Sequence, residues 1–241
     1  MSCPVEFRNK RTGDFWNLIC VGGCVWFFSS IIVFEIFRPF FSPKEWEDLY
    51  IFGAKLLQAL CLGSFIVLIG IDVPRVIHDW LKQWREHLHI VNKYFAVYVG
   101  GLLAVLATGV IIFILLEKIG RIDLAVMETV DDIANSNNKI LHLKQLFQTS
   151  IPLFILSLGT ICVLAPIIEE IFFRRFLFVA LRKNMDFIWA LLISAILFML
   201  VHRNIAQGAI GGIYLGYVYE KGKSLPANIL IHGMVNLLSL L

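Results

Sequence analysis

Long apolar runs separated by short polar segments organise this chain. The hydrocarbon core of a bilayer, about 30 Å thick, takes about 20 helical residues. On that ruler the runs at 15–37, 52–72, 94–117, 150–181 and 186–202 each read as a transmembrane helix. Two later runs, "IAQGAIGGIYLGYVYE" (205–220) and "LPANILIHGMVNLLSLL" (225–241), barely reach membrane length. They read as spans packed among other helices with little tilt. The pattern therefore predicts an all-α fold, a polytopic transmembrane bundle of about seven spans. The first run follows the basic stretch "FRNKRTGDF", exceeds a signal-peptide core in length and lacks an A-x-A cleavage site, so it reads as a retained helix.

Two connecting segments carry their own pattern. In "VIHDWLKQWREHLH", Ile77, Trp80, Leu81, Trp84 and Leu88 share one helical face, with Lys82, Arg85 and Glu86 elsewhere. This predicts a helix near 74–92 lying in the headgroup region. The stretch 121–149 is an amphipathic to polar connection, with "DDIANSNNKI" as a polar loop. The chain thus divides into an N-terminal part, 1–120, with three spans and the interfacial helix, the connection 121–149, and a C-terminal core, 150–241, of four spans.

Composition agrees with a membrane protein and changes the picture in one respect. Of 241 residues 59% are hydrophobic and 16% charged, with mean hydropathy +0.79, too apolar for a soluble domain of this size. A net charge of +3 gives no support for nucleic acid as a partner. Its distribution matters more. Arg8, Lys10 and Arg11 precede the first span, Arg75, Lys82, Arg85 and Lys93 follow the second, and Arg182 and Lys183 follow the fourth. The alternate loops are mixed or acidic, which puts the N-terminus in the cytoplasm by the positive-inside rule. Five cysteines without a Cys-x-x-Cys pair read as small core residues, and His78, His87 and His89 as solvated interfacial side chains.

The stretch "LAPIIEEIFFRRFLF" sets Glu169, Glu170, Arg174 and Arg175 inside an apolar run. A charge at the centre of a membrane helix costs about 2.5–3.5 kcal/mol on insertion scales, so each needs a partner or water. Glu170 and Arg174, at i and i+4, form an ion pair along one face. Glu169 lies about 100° round the helix and needs a partner from elsewhere, while Lys55 and Glu35 sit near span boundaries. The next span offers His202 with Phe198 one turn earlier, and the last offers His232 and Asn236. A carboxylate shielded from bulk water and backed by histidine can deprotonate a water molecule, while imidazole and amide N–H groups donate to a developing oxyanion. The set has the composition of a hydrolytic site.

These residues resemble a known family. "EEIFFR" (169–174) reads as EExxxR, "FMLVH" (198–202) as FxxxH and "HGMVN" (232–236) as HxxxN, in the order found in the CPBP family. That family groups type II CAAX prenyl endopeptidases with bacteriocin-processing and self-immunity proteins. The resemblance covers roughly 145–241 and implies an intramembrane endopeptidase cleaving a membrane-anchored protein or peptide in a bacterial plasma membrane. By it Glu169 is the general base, His202 its partner at the water, and His232 with Asn236 the oxyanion donors. Glu170, Arg174 and Phe198 support them. No cofactor is favoured; zinc held by Glu169, His202 and His232 is the alternative the resemblance leaves open, as is a non-catalytic immunity or scaffold protein. The reaction is expected near the cytoplasmic half of the bilayer.

Overall fold

The computed structural model describes residue 23 and residues 43–68, 72–119, 138–202 and 204–240. Among the described residues every regular element is helical. We number them α1 (Pro43–Leu68), α2 (Val73–Lys82), α3 (Trp84–Lys118), α4 (Asn138–Thr149), α5 (Ile151–Asn184), α6 (Phe187–Leu200), α7 (Ile205–Gly222) and α8 (Leu225–Leu238). The expected first span, 15–37, lies outside the described residues apart from Gly23, as does most of "DDIANSNNKI".

Among the described residues two helices, α3 and α5, are long and apolar enough to cross a membrane. The helices α6 and α8 have 14 residues each, about 21 Å at 1.5 Å per residue, short of the hydrocarbon thickness. Local chemistry sets the boundaries. Asp72 caps α2 by accepting from the Arg75 backbone N–H at 3.2 Å, and Pro74 occupies the first turn, where a missing N–H costs nothing. The interfacial helix is shorter than its amphipathic pattern predicts. It stops at Lys82, the chain turns at Gln83, and Trp84 and Leu88 begin α3. Asn204 and Ser224 cap α7 and α8 by accepting from Gln207 N at 3.1 Å and Ala227 N at 3.1 Å.

The helix α5 departs from the pattern most. It contains two π-helical stretches, Thr160–Leu164 and Ile171–Phe178, on either side of the α-helical Ala165–Glu170. Each π turn holds more residues than an α turn and so shortens the helix, an arrangement frequent at functional sites. Phe172, Phe173, Phe176, Leu177 and Phe178 are all buried, so this stretch is apolar almost all round because it is enclosed by other helices. Phe173 and Phe178 join Phe198 of α6 and Tyr219 of α7 in one core, against which Trp80 of α2 also rests.

Glycines bring α7 against α6. A Cβ at Gly212 would stand 2.9 Å from the Ala195 Cα, and one at Gly208 would stand 3.0 Å from the Met199 Cα and the His202 Cβ. Small residues at four-residue spacing let helix backbones approach this closely. On α8, a Cβ at Gly233 would collide with the Cys162 carbonyl oxygen in the first π stretch.

Gly212→Val is therefore expected to force α6 and α7 apart and cost about 1–3 kcal/mol, lowering the Tm in detergent. Gly211→Ala is the control: its Cβ would meet only the Phe198 ring edge at 3.7 Å, so it should leave Tm unchanged or raise it slightly.

Candidate active site

Four helices, α1, α5, α6 and α8, and the turn after α6 deliver side chains to one buried cluster around Glu169 and Glu170 at the end of the α-helical segment of α5. Adjacent positions on a helix point in different directions, so the two carboxylates meet different partners. Glu170 and Arg174 are both fully buried, with Arg174 Nε 3.2 Å from Glu170 Oε2. The guanidinium carbon also lies 4.7 Å from the centre of the Phe198 ring, a favourable cation–π position. Glu170 Oε1 accepts from His232 Nδ1 at 2.9 Å, and Oε2 accepts from the Asn228 amide at 2.6 Å. The same amide donates to the Leu215 carbonyl of α7 at 3.1 Å.

Glu169 has the cation its own helix does not supply. Lys55 of α1 donates to Oε1 at 2.7 Å. The other oxygen, Oε2, faces His202 Nε2 at 3.6 Å and His232 Nε2 at 3.8 Å. Both separations exceed a direct hydrogen bond and suit a group bridging the three atoms.

The partners of the two imidazoles assign their protons. His202 Nδ1 lies 2.6 Å from the Phe198 carbonyl oxygen, which can only accept, so Nδ1 carries hydrogen. His232 Nδ1 bonds to a carboxylate and carries hydrogen for the same reason. In the neutral form each ring therefore turns an unprotonated Nε2 towards Glu169 Oε2. The sequence reading cast His232 as an oxyanion donor; donation from its Nε2 requires a second proton on the ring.

Position along the helices follows from the turns. Glu169 and His202 lie at comparable distances on either side of the α5–α6 turn, which is why this hairpin brings them together. That turn, with Arg182 and Lys183, adjoins Glu220, since Arg182 Nη2 lies 3.3 Å from Glu220 Oε1. His87 bonds to Ser224 at the same end of the bundle, at 2.9 Å. His202 follows the far end of α6, while Asn228 and His232 stand one and two turns into α8 from Ser224.

Asn236 is placed differently from the others. Its amide donates to the Ile161 carbonyl at 2.9 Å, fastening α8 to the first π stretch. No hydrogen bond joins it to Glu169, Glu170 or either histidine among the described residues. Two residues of the cluster escaped the sequence reading. Asn228 stands one α-turn before His232, so Asn228, His232 and Asn236 form a polar stripe at i, i+4 and i+8 whose first member was detectable from spacing. Lys55 was assigned to a span boundary because the run was started at 52, whereas α1 begins at Pro43.

Residues 151–238 match the family model described as type II CAAX prenyl endopeptidase Rce1-like. The resemblance read from the motifs is thus shown for this segment. A 77-residue stretch is 32% identical to the candidate membrane peptidase YdiL of Bacillus subtilis (strain 168), covering 31% of this chain and 32% of that protein. The chain thus matches about a third of its curated relative's length. No solved structure matches significantly. Glu169, Glu170, Arg174, His202, Asn228, His232 and Asn236 all fall inside the Rce1-like segment, and Lys55 falls outside it.

The contacts rank the two asparagines. Asn228→Leu, which leaves Glu170 Oε2 without its amide donor, should cost about 1.5–3 kcal/mol, the range for a hydrogen bond to a charged group. Asn236→Leu should cost about 1 kcal/mol, the worth of an interhelical amide bond in a membrane. Unfolding midpoints of both variants in mixed detergent and denaturant should follow that order.

Proposed function

We propose that this protein is an intramembrane endopeptidase that hydrolyses a peptide bond of a membrane-associated protein or peptide with a water activated by Glu169. One observation carries the reading: Glu169 Oε2 faces two imidazole nitrogens, each anchored through its other nitrogen. A water at that point donates one hydrogen to Glu169 Oε2 and the other to the bare Nε2 of His202, leaving its oxygen lone pairs for the substrate carbonyl. As the oxygen–carbon bond forms, Glu169 takes the proton. It returns that proton to the leaving amine when the carbon–nitrogen bond breaks.

The oxyanion requires a donor. His232 serves in its protonated form, with Nε2–H directed to the oxyanion and Nδ1–H retained by Glu170. Asn236 can join it only by giving up its bond to Ile161, an exchange that substrate binding would have to drive. The match to the type II CAAX prenyl endopeptidase Rce1-like family supports a substrate with a lipid-modified C-terminal tail. Arg182, Lys183, Lys221 and Lys223 near one rim favour placing that rim, and with it the N-terminus, on the cytoplasmic side of a bacterial plasma membrane.

Zinc is the alternative occupant of the space between the same atoms. Glu169, His202 and His232 are suitable ligand types, and anchored Nδ1 atoms are common in metal-binding histidines. The arrangement nevertheless fits poorly. Among the described residues no three His, Cys, Asp or Glu side chains are grouped to hold an ion, and the Lys55 ammonium already bonds Glu169. No step is derived through a metal.

Cleavage of a farnesylated peptide with a CAAX-type tail by purified protein in liposomes tests the proposal. Glu169→Gln should lower kcat about 10²–10⁴-fold, the usual contribution of a general base, without loss of the helical circular dichroism signal. Full activity in that variant would sink the mechanism. Chelator treatment followed by zinc analysis should leave cleavage intact; loss of activity together with stoichiometric zinc would establish the metal-dependent alternative instead.

A further inference from the structure

The contact between Lys55 and Glu169 joins a helix outside the Rce1-like segment to the atom assigned the chemistry. We propose that Lys55 is a positioning residue for Glu169: its ammonium fixes Oε1 and thereby presents Oε2 to His202 and His232. The proposal rests on the reading of Glu169 as the base.

Three features support it. The first is geometric, because a carboxylate has two oxygens and only the anchored one is used by Lys55, so the pair orients the group without blocking the face turned to the imidazoles. The second is charge. Among the described residues the groups facing Glu169 are Lys55 from α1, His202 beyond α6, His232 from α8, and Glu170 and Arg174 from its own helix. Arg174 is paired with Glu170 and both histidines expose acceptor nitrogens when neutral, so Lys55 is a permanent cation directed at Glu169. The third is enclosure. Glu169 is buried and the Lys55 side chain is 18% exposed, so bulk solvent screens the pair weakly.

Replacing Lys55 removes the charge that keeps the proton off Glu169. Lys55→Met and the polar Lys55→Gln should lower kcat for the farnesylated reporter about 10- to 100-fold at neutral pH, with KM changed less than about threefold. The acid limb of the pH–rate profile should move upwards by about one pH unit or more, the effect of losing a close opposite charge. Lys55→Arg should restore both. A merely structural Lys55 would alter the amount of folded protein and leave the pH limb in place.

A second measurement needs no substrate. Dicyclohexylcarbodiimide reacts with protonated carboxyl groups in membranes, and peptide mapping by mass spectrometry locates the adduct. Labelling at Glu169, absent in Glu169→Gln, should begin at higher pH in Lys55→Met than in the parent protein. Coincident labelling curves would overturn the proposal whatever the reaction is. A shifted labelling curve with full activity in Glu169→Gln would uphold the electrostatic pairing and reject Glu169 as the base.

Discussion

Two neighbouring carboxylates inside a long apolar helix must be neutralised where water is scarce, and much of the bundle is arranged around that demand. Removing one partner of a buried ion pair costs about 3–5 kcal/mol, because the remaining charge is stranded. Glu170 meets the demand with Arg174, Asn228 and His232. Glu169 meets it with Lys55 and two imidazoles at longer range. The difference matters chemically. Glu170 has both oxygens engaged by close donors and is held as a structural anion. Glu169 has one oxygen engaged and one facing polar atoms beyond direct bonding distance, which leaves that oxygen open to a further polar group.

Helix shape determines whether those partners can reach. A regular α-helix over 151–184 would set the carboxylates at a depth dictated by 1.5 Å per residue, mismatched with His232 early in α8. The two π stretches shorten α5 on both sides of Glu169 and Glu170. The first also offers the Ile161 carbonyl to Asn236 and faces Gly233. Close approach of α7 to α6 at Gly208 and Gly212 secures the turn that carries His202. Backbone contacts at glycine therefore serve the same end as the polar contacts, holding three short polar stripes at one level.

Different physical signals made some of this legible in the sequence and hid the rest. The Glu170–Arg174 pair was visible because i, i+4 neighbours on one helix need no tertiary information. His202 and His232 were visible as polar groups without local partners in apolar runs. Lys55 was obscured by its position: hydropathy smooths over a single charge near the edge of a run, and α1 starts nine residues before the run that the ruler selected. The π stretches leave no comparable mark, because Phe, Leu and Ile satisfy α and π geometry equally well and tertiary enclosure decides between them. The proton assignments also required the structure, since only the neighbours of each Nδ1 fix which nitrogen is bare.

The cluster extends beyond the Rce1-like segment. Among the described residues of 151–238 it contains two carboxylates and the guanidinium that pairs with Glu170. Lys55 adds a cation from α1. A further connection runs from α3, where His87 bonds to Ser224, the residue that caps α8 and so sets the direction of the helix bearing Asn228 and His232. The preceding helices are therefore coupled to the site by charge and by orientation, beyond enclosing it. A change in how α1 lies against α5 alters the environment of Glu169 directly, giving the part of the chain outside the matched segment a means of adjusting the chemistry proposed for that carboxylate.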